Sequence, residues 1–190
     1  MYNDNLAFDS YEIIEGEKIM SPSPFKQHMY IMINLCIKFG SYLRGKKIGR
    51  LFTDNMDVHL PDGNLVKPDL FIVCDRKILK DRYTVYGVPD FVVEILSRST
   101  MYHDKRKKKH IYESNGVKEY WIVNPFDKTV EVYILREGKF ELDGIYSFLT
   151  EDEFNCLDDE DKAAIKTDVK LSIFDDLSVS VDDIFYDIED

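Results

Sequence analysis

Apolar and polar positions along this chain fall into short blocks, most of them long enough to suggest a local structure. Tyr11–Met20 alternates around Glu15-Gly16, a pair suited to a tight turn, and predicts two short strands. Ser21-Pro22-Ser23-Pro24 breaks that pattern. From Phe25 to Leu43, the residues Met29, Met32, Ile33, Cys36, Ile37 and Phe39/Gly40 recur at helical spacing and predict a first helix, with Arg44-Gly45 as its stop. Gly49–Leu60 predicts an extended segment closed by the turn cluster Pro61-Asp62-Gly63-Asn64. Leu65–Cys74 predicts another, with Pro68-Asp69 ahead of the apolar run Leu70–Cys74. A charged loop, Asp75–Tyr86, leads into Pro89–Leu96, a strand apolar on both faces, as suits a central strand covered on each side.

Ser97–Asn115 turns polar and helical, with Ser99 or Thr100 as its N-cap and Gly116 as its stop. Glu119–Asn124 and Thr129–Leu135 predict two strands joined by a turn at Pro125–Lys128, and Phe140–Phe148 predicts one more extended segment. Glu151–Lys162 reads as a loop or weak helix, and Val179–Phe185 is apolar enough to fold back on the body. There is no internal repeat and no long flexible linker. The order is helix, three strands, helix, strands, which predicts an α/β or α+β fold in a single domain over residues 1–190.

A chain of 190 residues, 44% of them hydrophobic, can close one sizeable core. No stretch approaches the roughly 18 apolar residues that a spanning helix requires, so no membrane partner is expected. MYNDNLAFDS carries early acids and no apolar leader core, which makes the cytoplasm the expected compartment. Cys36, Cys74 and Cys156 form no CxxC pair and have no zinc spacing, and Cys36 and Cys74 are expected to act as small buried hydrophobes.

Charge changes the picture more. The net charge of −11 argues against a nucleic-acid partner, which needs lysine and arginine to meet phosphate. Yet residues 151–190 hold 15 acids against three lysines, a net of −12, while residues 1–150 hold 22 basic and 21 acidic residues, a net of +1. The acidity is a property of the C-terminal region, and the first 150 residues permit nucleic-acid binding without favouring it.

Two acids stand where apolar residues surround them. Asp69 opens an apolar strand directly after Pro68, and Glu94 interrupts Phe91-Val-Val-Glu-Ile-Leu96. A carboxylate so placed must be paired, bound to a metal or held at a strand end, because an isolated buried charge is very costly. Two such carboxylates on adjacent strands can hold a hard cation such as Mg²⁺, which polarises phosphate and acidifies water. Asp104, Lys108 and Tyr112 follow at four-residue spacing along one helical face, and a lysine there could offset charge building on a phosphate. Structural alternatives stay open: Asp69 capping a turn, Glu94 in a buried salt bridge with the next helix, and 105–109 as a solvated face. Tyr120-Trp121 reads as core rather than as a base-stacking platform.

Taken together, Lys67-Pro68-Asp69, Gly87–Thr100 with Glu94 inside it, Asp104/Lys108/Tyr112 and Gly116–Val123 resemble the Uma-two family of restriction endonucleases. Tyr11–Glu17, His28 and the ending Leu177–Phe185 are similar to its outer parts, so the resemblance covers nearly the whole chain. That family is in turn similar to the PD-(D/E)XK nuclease superfamily. The resemblance implies a restriction-endonuclease-like mixed central sheet flanked by helices, with Asp69 and Glu94 as metal-binding catalytic carboxylates. It implies Mg²⁺ or Mn²⁺ as cofactor. The superfamily lysine would fall two residues after Glu94, where Leu96 stands; in Uma-two-like sequences a lysine on the following helix corresponds to Lys108. His28, Tyr112 and Asp104 are expected to line the site, and Lys105, Lys107 and Lys109 to contact nucleic acid.

The expected activity is metal-dependent hydrolysis of phosphodiester bonds, with DNA the expected substrate. A homodimer is the assembly that cutting both strands of a duplex favours. The competing expectation is a catalytically silent nuclease fold that acts as a binding or interaction module, because a site and not a fold carries function.

Overall fold

A computed structural model describes residues 11–20, 25–53, 56–79, 81–97 and 103–188, with the side chains of residues 103–105 outside that description. Phe91–Ile95 (β8) lies inside a six-stranded sheet, and its five residues and Leu96 are at most 2% exposed. On one side β8 pairs antiparallel with Leu70–Val73 (β6), which pairs antiparallel with the edge strand Arg50–Thr53 (β3). On the other side it pairs parallel with Glu119–Asn124 (β9), followed by the antiparallel strands Thr129–Arg136 (β10) and Lys139–Ser147 (β11). A parallel pair needs a crossover, and this one contains a wide π-helical turn, His103–Lys108, running into the helix Lys109–Asn115 (α2). Gly116, at φ 85°, ends α2 as expected, while the Ser99/Thr100 N-cap lies outside the described residues.

Alternation along β8 divides its neighbours between two layers. Phe91, Val93 and Ile95 pack with Ile31, Leu35 and Phe39 of the long helix Lys26–Leu43 (α1). Val92 and Leu96 pack on the opposite side with Ile111 and Tyr112 of α2, and with a second sheet. That second sheet has the order β2-β1-β5-β4-β7: Tyr11–Ile14 (β1), Glu17–Met20 (β2), Asp57–His59 (β4), Leu65–Val66 (β5) and Thr84–Tyr86 (β7). Glu15 and Gly16 both adopt positive φ at the β1–β2 turn, the backbone that a tight hairpin turn demands. The result is the expected mixed central sheet flanked by helices, with one face further covered by a smaller sheet.

Three expectations need correction. Gly49–Leu60 is not one strand but two, β3 in the central sheet and β4 in the second, and Leu65–Cys74 divides likewise into β5 and β6. Lys67-Pro68-Asp69 interrupts the latter; Pro68 has no N–H to give to a ladder. The loop Asp75–Tyr86 contains a 3₁₀ turn at Arg76–Ile78 and all of β7. The buried face of α1 is Ile31, Met32, Leu35, Phe39 and Leu43 together with His28, whereas Met29, Ile33 and Ile37 are 43–58% exposed. Two apolar stripes share this helix, and the sheet takes the one that carries Phe39, whose ring meets Phe91 and Trp121 edge-on.

The C-terminal region is more ordered than its composition suggests. Glu151–Cys156 (α3) and Asp159–Ala164 (α4) are short helices whose acids crowd the first turn, where the helix dipole favours them. Asp168–Lys170 (β12), Ser178–Ser180 (β13) and Val181–Ile184 (α5) follow. Val169, Val179, Val181, Ile184 and Phe185 join the α1-side core, and the Asn34 amide donates to the carbonyls of Ile184 and Tyr186. Among the described residues, no helix is long and apolar enough to cross a membrane. The three cysteines are free, Cys36 and Cys74 half-buried against the α1-side core and Cys156 exposed.

Candidate active site

Glu94 points to the same side of β8 as Val92 and Leu96, into the layer where α2 and the second sheet meet. Both of its carboxylate oxygens are engaged. The Lys108 ammonium donates to Oε2 at 3.1 Å, and the Tyr112 hydroxyl donates to Oε1 at 2.6 Å. Glu94 is 2% exposed and Lys108 6%, so both charges are out of water. Four-residue helical spacing brings Lys108 and Tyr112 to the same carboxylate, as the sequence pattern suggested. Burial raises the Tyr112 hydroxyl well above its ordinary range, and the nearby charges of Glu94 and Glu12 push it the same way. It therefore remains a hydrogen-bond donor to Glu94 at neutral pH.

Asp69 sits just ahead of β6, and the register Leu70↔Val93 sets it beside the end of β8. Its Oδ2 accepts the backbone N–H of Ile95 at 2.6 Å, taking the place of a ladder carbonyl. Its Oδ1 lies 3.0 Å from Nε2 of His28, which reaches across from the first turn of α1. The two carboxylates thus come from β8 and from the residue directly ahead of its neighbour β6, and Asp69 is anchored on the residue that follows Glu94.

The structure adds a residue that sequence reasoning did not single out. Glu12, on β1, places Oε2 3.0 Å from the Lys108 ammonium, and its Oε1 accepts the Lys67 backbone N–H at 2.8 Å. Only its inward position distinguishes Glu12 from a solvent-facing strand acid, and Tyr11-Glu12-Ile13-Ile14 does not say which face is inside.

Other expected residues are placed less centrally. The Lys107 ammonium pairs with Glu17 at 3.2 Å, and that of Lys109 lies 3.6 Å from the centre of the Tyr133 ring, with burial lowering its pKa. The side chains of Asp104 and Lys105 lie outside the described residues. Leu96, at the superfamily's usual lysine position, is fully buried among apolar neighbours. Tyr120 and Trp121 are fully buried as core, and the indole N–H donates to the buried Glu119 at 2.6 Å.

The donor set can be compared with what a divalent cation needs. Asp69, directly ahead of β6, and Glu94, on the adjacent strand β8, offer hard carboxylate oxygens. Glu12 and Glu94 flank the Lys108 ammonium at 3.0 and 3.1 Å, and Asp69 lies 3.0 Å from His28. Among the described residues, no three His, Cys, Asp or Glu side chains converge as a metal cage. Mg²⁺ commonly takes one or two protein carboxylates and fills the rest with water, so a two-carboxylate site fits it. Tyr112 holds Oε1 of Glu94, and His28 lies against Oδ1 of Asp69.

Comparison with known proteins agrees with this architecture. A crystal structure described as "a putative nuclease belonging to DUF820", from Anabaena variabilis, is 21% identical and superposes with a TM-score of 0.69, covering 94% of this chain and 90% of that one. At that identity the likeness speaks for the fold. No curated protein matches. Residues 6–158 match the model of the Uma2 family, described as "Putative restriction endonuclease". That match holds Glu12, His28, Asp69, Glu94, Lys108 and Tyr112 within it and spans most of the sequence, so this chain belongs to the Uma2 family.

Proposed function

We propose that this protein is a divalent-metal-dependent endonuclease that hydrolyses phosphodiester bonds in DNA. The observation that carries this reading is the pairing of Asp69, directly ahead of β6, with Glu94 on the neighbouring strand β8, and the Lys108 ammonium 3.1 Å from Glu94. Asp69 and Glu94 would hold Mg²⁺ or Mn²⁺, and when bound the cation supplies Lewis acidity at the phosphate and acidifies water. Lys108 offsets negative charge that develops as the phosphorus centre is attacked. Tyr112 fixes the rotamer of Glu94, and His28 together with the Ile95 N–H fixes that of Asp69. Burial of these contacts keeps water from competing for them.

One observation favours a second reading, a silent nuclease fold acting as a binding module. Glu94 already has a cation on one oxygen and a hydroxyl on the other, a closed network that needs no metal. The acidic residues 151–190 would suit a protein partner better than a polyanion. Titrating Mg²⁺ and Mn²⁺ into wild-type protein and an Asp69→Ala/Glu94→Ala variant, with plasmid DNA present, separates the two. Metal binding and cleavage lost together in the variant support the enzyme. Cleavage that survives in the variant refutes the site, and absence of specific metal binding in the wild type supports the module.

A further inference from the structure

Glu12 takes no part in the reaction outlined above, yet it is as deeply buried as Lys108. On β1 it shares the inward face with Ile14, while Tyr11 and Ile13 are half-buried on the other face. A carboxylate at an inward strand position is costly unless each oxygen finds a donor. Both do, and the choice of donors is informative. Oε1 takes the backbone N–H of Lys67, two residues before Asp69, and Oε2 takes the ammonium of Lys108. Glu12 therefore ties the segment that carries one carboxylate to the lysine that attends the other.

We propose that Glu12 is the positioning residue for Lys108, holding its ammonium by a contact that does not depend on Glu94. This rests on the metal-nuclease reading. A lysine paired with Glu94 alone would compete with a cation for that carboxylate, and binding the cation would expel it. An ammonium has three donors, so Lys108 can give up Glu94 Oε2 and keep Glu12 Oε2. Tyr112 retains Oε1 throughout, so only one oxygen of Glu94 has to exchange partners. The wide π-helical turn that delivers Lys108 is a distortion frequent at functional sites.

The test follows acetylation of Lys108 by acetic anhydride, resolved by mass spectrometry, in the full chain. Wild-type Lys108 is expected to label slowly with and without Mg²⁺. In Glu12→Gln it should label slowly without Mg²⁺, held by Glu94, and become reactive once Mg²⁺ is added, a response that loss of mere structural support would not give. Without metal, Glu94→Gln should leave Lys108 protected by Glu12, and the Glu12→Gln/Glu94→Gln double variant should expose it. If the double variant does not fold, Glu12→Asp takes its place in the Mg²⁺ experiment, its shorter side chain giving intermediate labelling. With DNA, Glu12→Gln should lower kcat by about 10–100-fold, the usual effect of removing an outer partner, and leave KM unchanged. Labelling of Lys108 in Glu94→Gln as fast as at an exposed lysine would overturn the proposal, as would wild-type kcat in Glu12→Gln. If the wild-type protein cleaves no DNA, the nuclease reading fails instead, and the metal-free labelling still decides whether Glu12 holds Lys108.

Discussion

Replacing Lys108 with methionine keeps an unbranched stem and removes the positive charge between Glu12 and Glu94. The ammonium lies 3.0 Å from one carboxylate and 3.1 Å from the other, and all three side chains are buried. Removing one partner of a buried ion pair costs about 3–5 kcal/mol, because a charge is left without compensation. Here Glu94 retains the Tyr112 hydroxyl and Glu12 retains the Lys67 N–H, which places the expected cost near the lower end, about 3 kcal/mol. For a chain of this length each kcal/mol moves the melting midpoint by about 2–4 °C, so Lys108→Met should melt about 6–12 °C lower. Urea unfolding should show the same loss with an unchanged slope, since the surface exposed on unfolding stays the same. Adding Glu12→Gln should return part of the stability, because the second change removes a charge that the first left unpaired. A saturating level of Mg²⁺ should also raise the variant's midpoint more than the wild type's, for the cation then does the neutralising that Lys108 did. A Lys108→Met protein within about 1 kcal/mol of wild type would refute the reasoning, since that is the size of an ordinary surface ion pair.

Other consequences can be checked alongside. Tyr112→Phe removes a 2.6 Å donor from the buried Glu94 carboxylate and should cost about 1.5–3 kcal/mol in chemical denaturation; wild-type stability in that variant would show that this bond does not support the fold. Burial raises the Glu119 carboxyl above its ordinary 4.5, against the opposing effect of donors from Ser172 and Trp121. A group that binds its proton more tightly when folded stabilises fully below its unfolded pKa and loses that contribution as pH rises through the folded one. The stability gap between wild type and Glu119→Ala should therefore narrow as pH climbs from 4 through the raised value, and a gap that widens would contradict it. Burial and the negative charge of Asp90 push the Cys74 thiol up to about 11, so at pH 8 a thiol reagent should modify exposed Cys156 first and Cys74 slower by about two orders of magnitude. Equal labelling rates for the two would show that Cys74 is not held in that environment.

How far the sequence foretold this arrangement depended on whether a residue's signal was local. Glu94 was legible because a carboxylate inside Phe-Val-Val-Glu-Ile-Leu conflicts with its neighbours, and Lys108 and Tyr112 because helical spacing alone brings them to one carboxylate. The central position of β8 followed from its apolar character on both faces. Glu12 was not legible: alternation in Tyr-Glu-Ile-Ile leaves open which face is inward, and the second sheet resolves it by docking. The buried face of α1 escaped for a related reason, since Met29, Ile33 and Ile37 form an apolar stripe as regular as the buried one. The strand breaks at β3/β4 and β5/β6 came from the chain's passage between two sheets, a tertiary event that only Pro68 marks locally.

The parallel pairing of β8 with β9 also has a bearing on when the site comes into being. Glu12, His28, Asp69, Glu94, Lys108 and Tyr112 are drawn from β1, α1, the β5–β6 break, β8 and the crossover to β9. The contacts among them close loops as long as the 96 positions that separate Glu12 from Lys108, and such non-local pairings are slow to form. A ribosome that has delivered Asp69 and Glu94 has still to deliver β9, without which one side of β8 has no partner and the crossover has nowhere to anchor. The nascent chain thus carries its carboxylates well before the lysine can join them. The contacts that join Glu12, Asp69, Glu94 and Lys108 are therefore expected only once β9 is available to pair with β8.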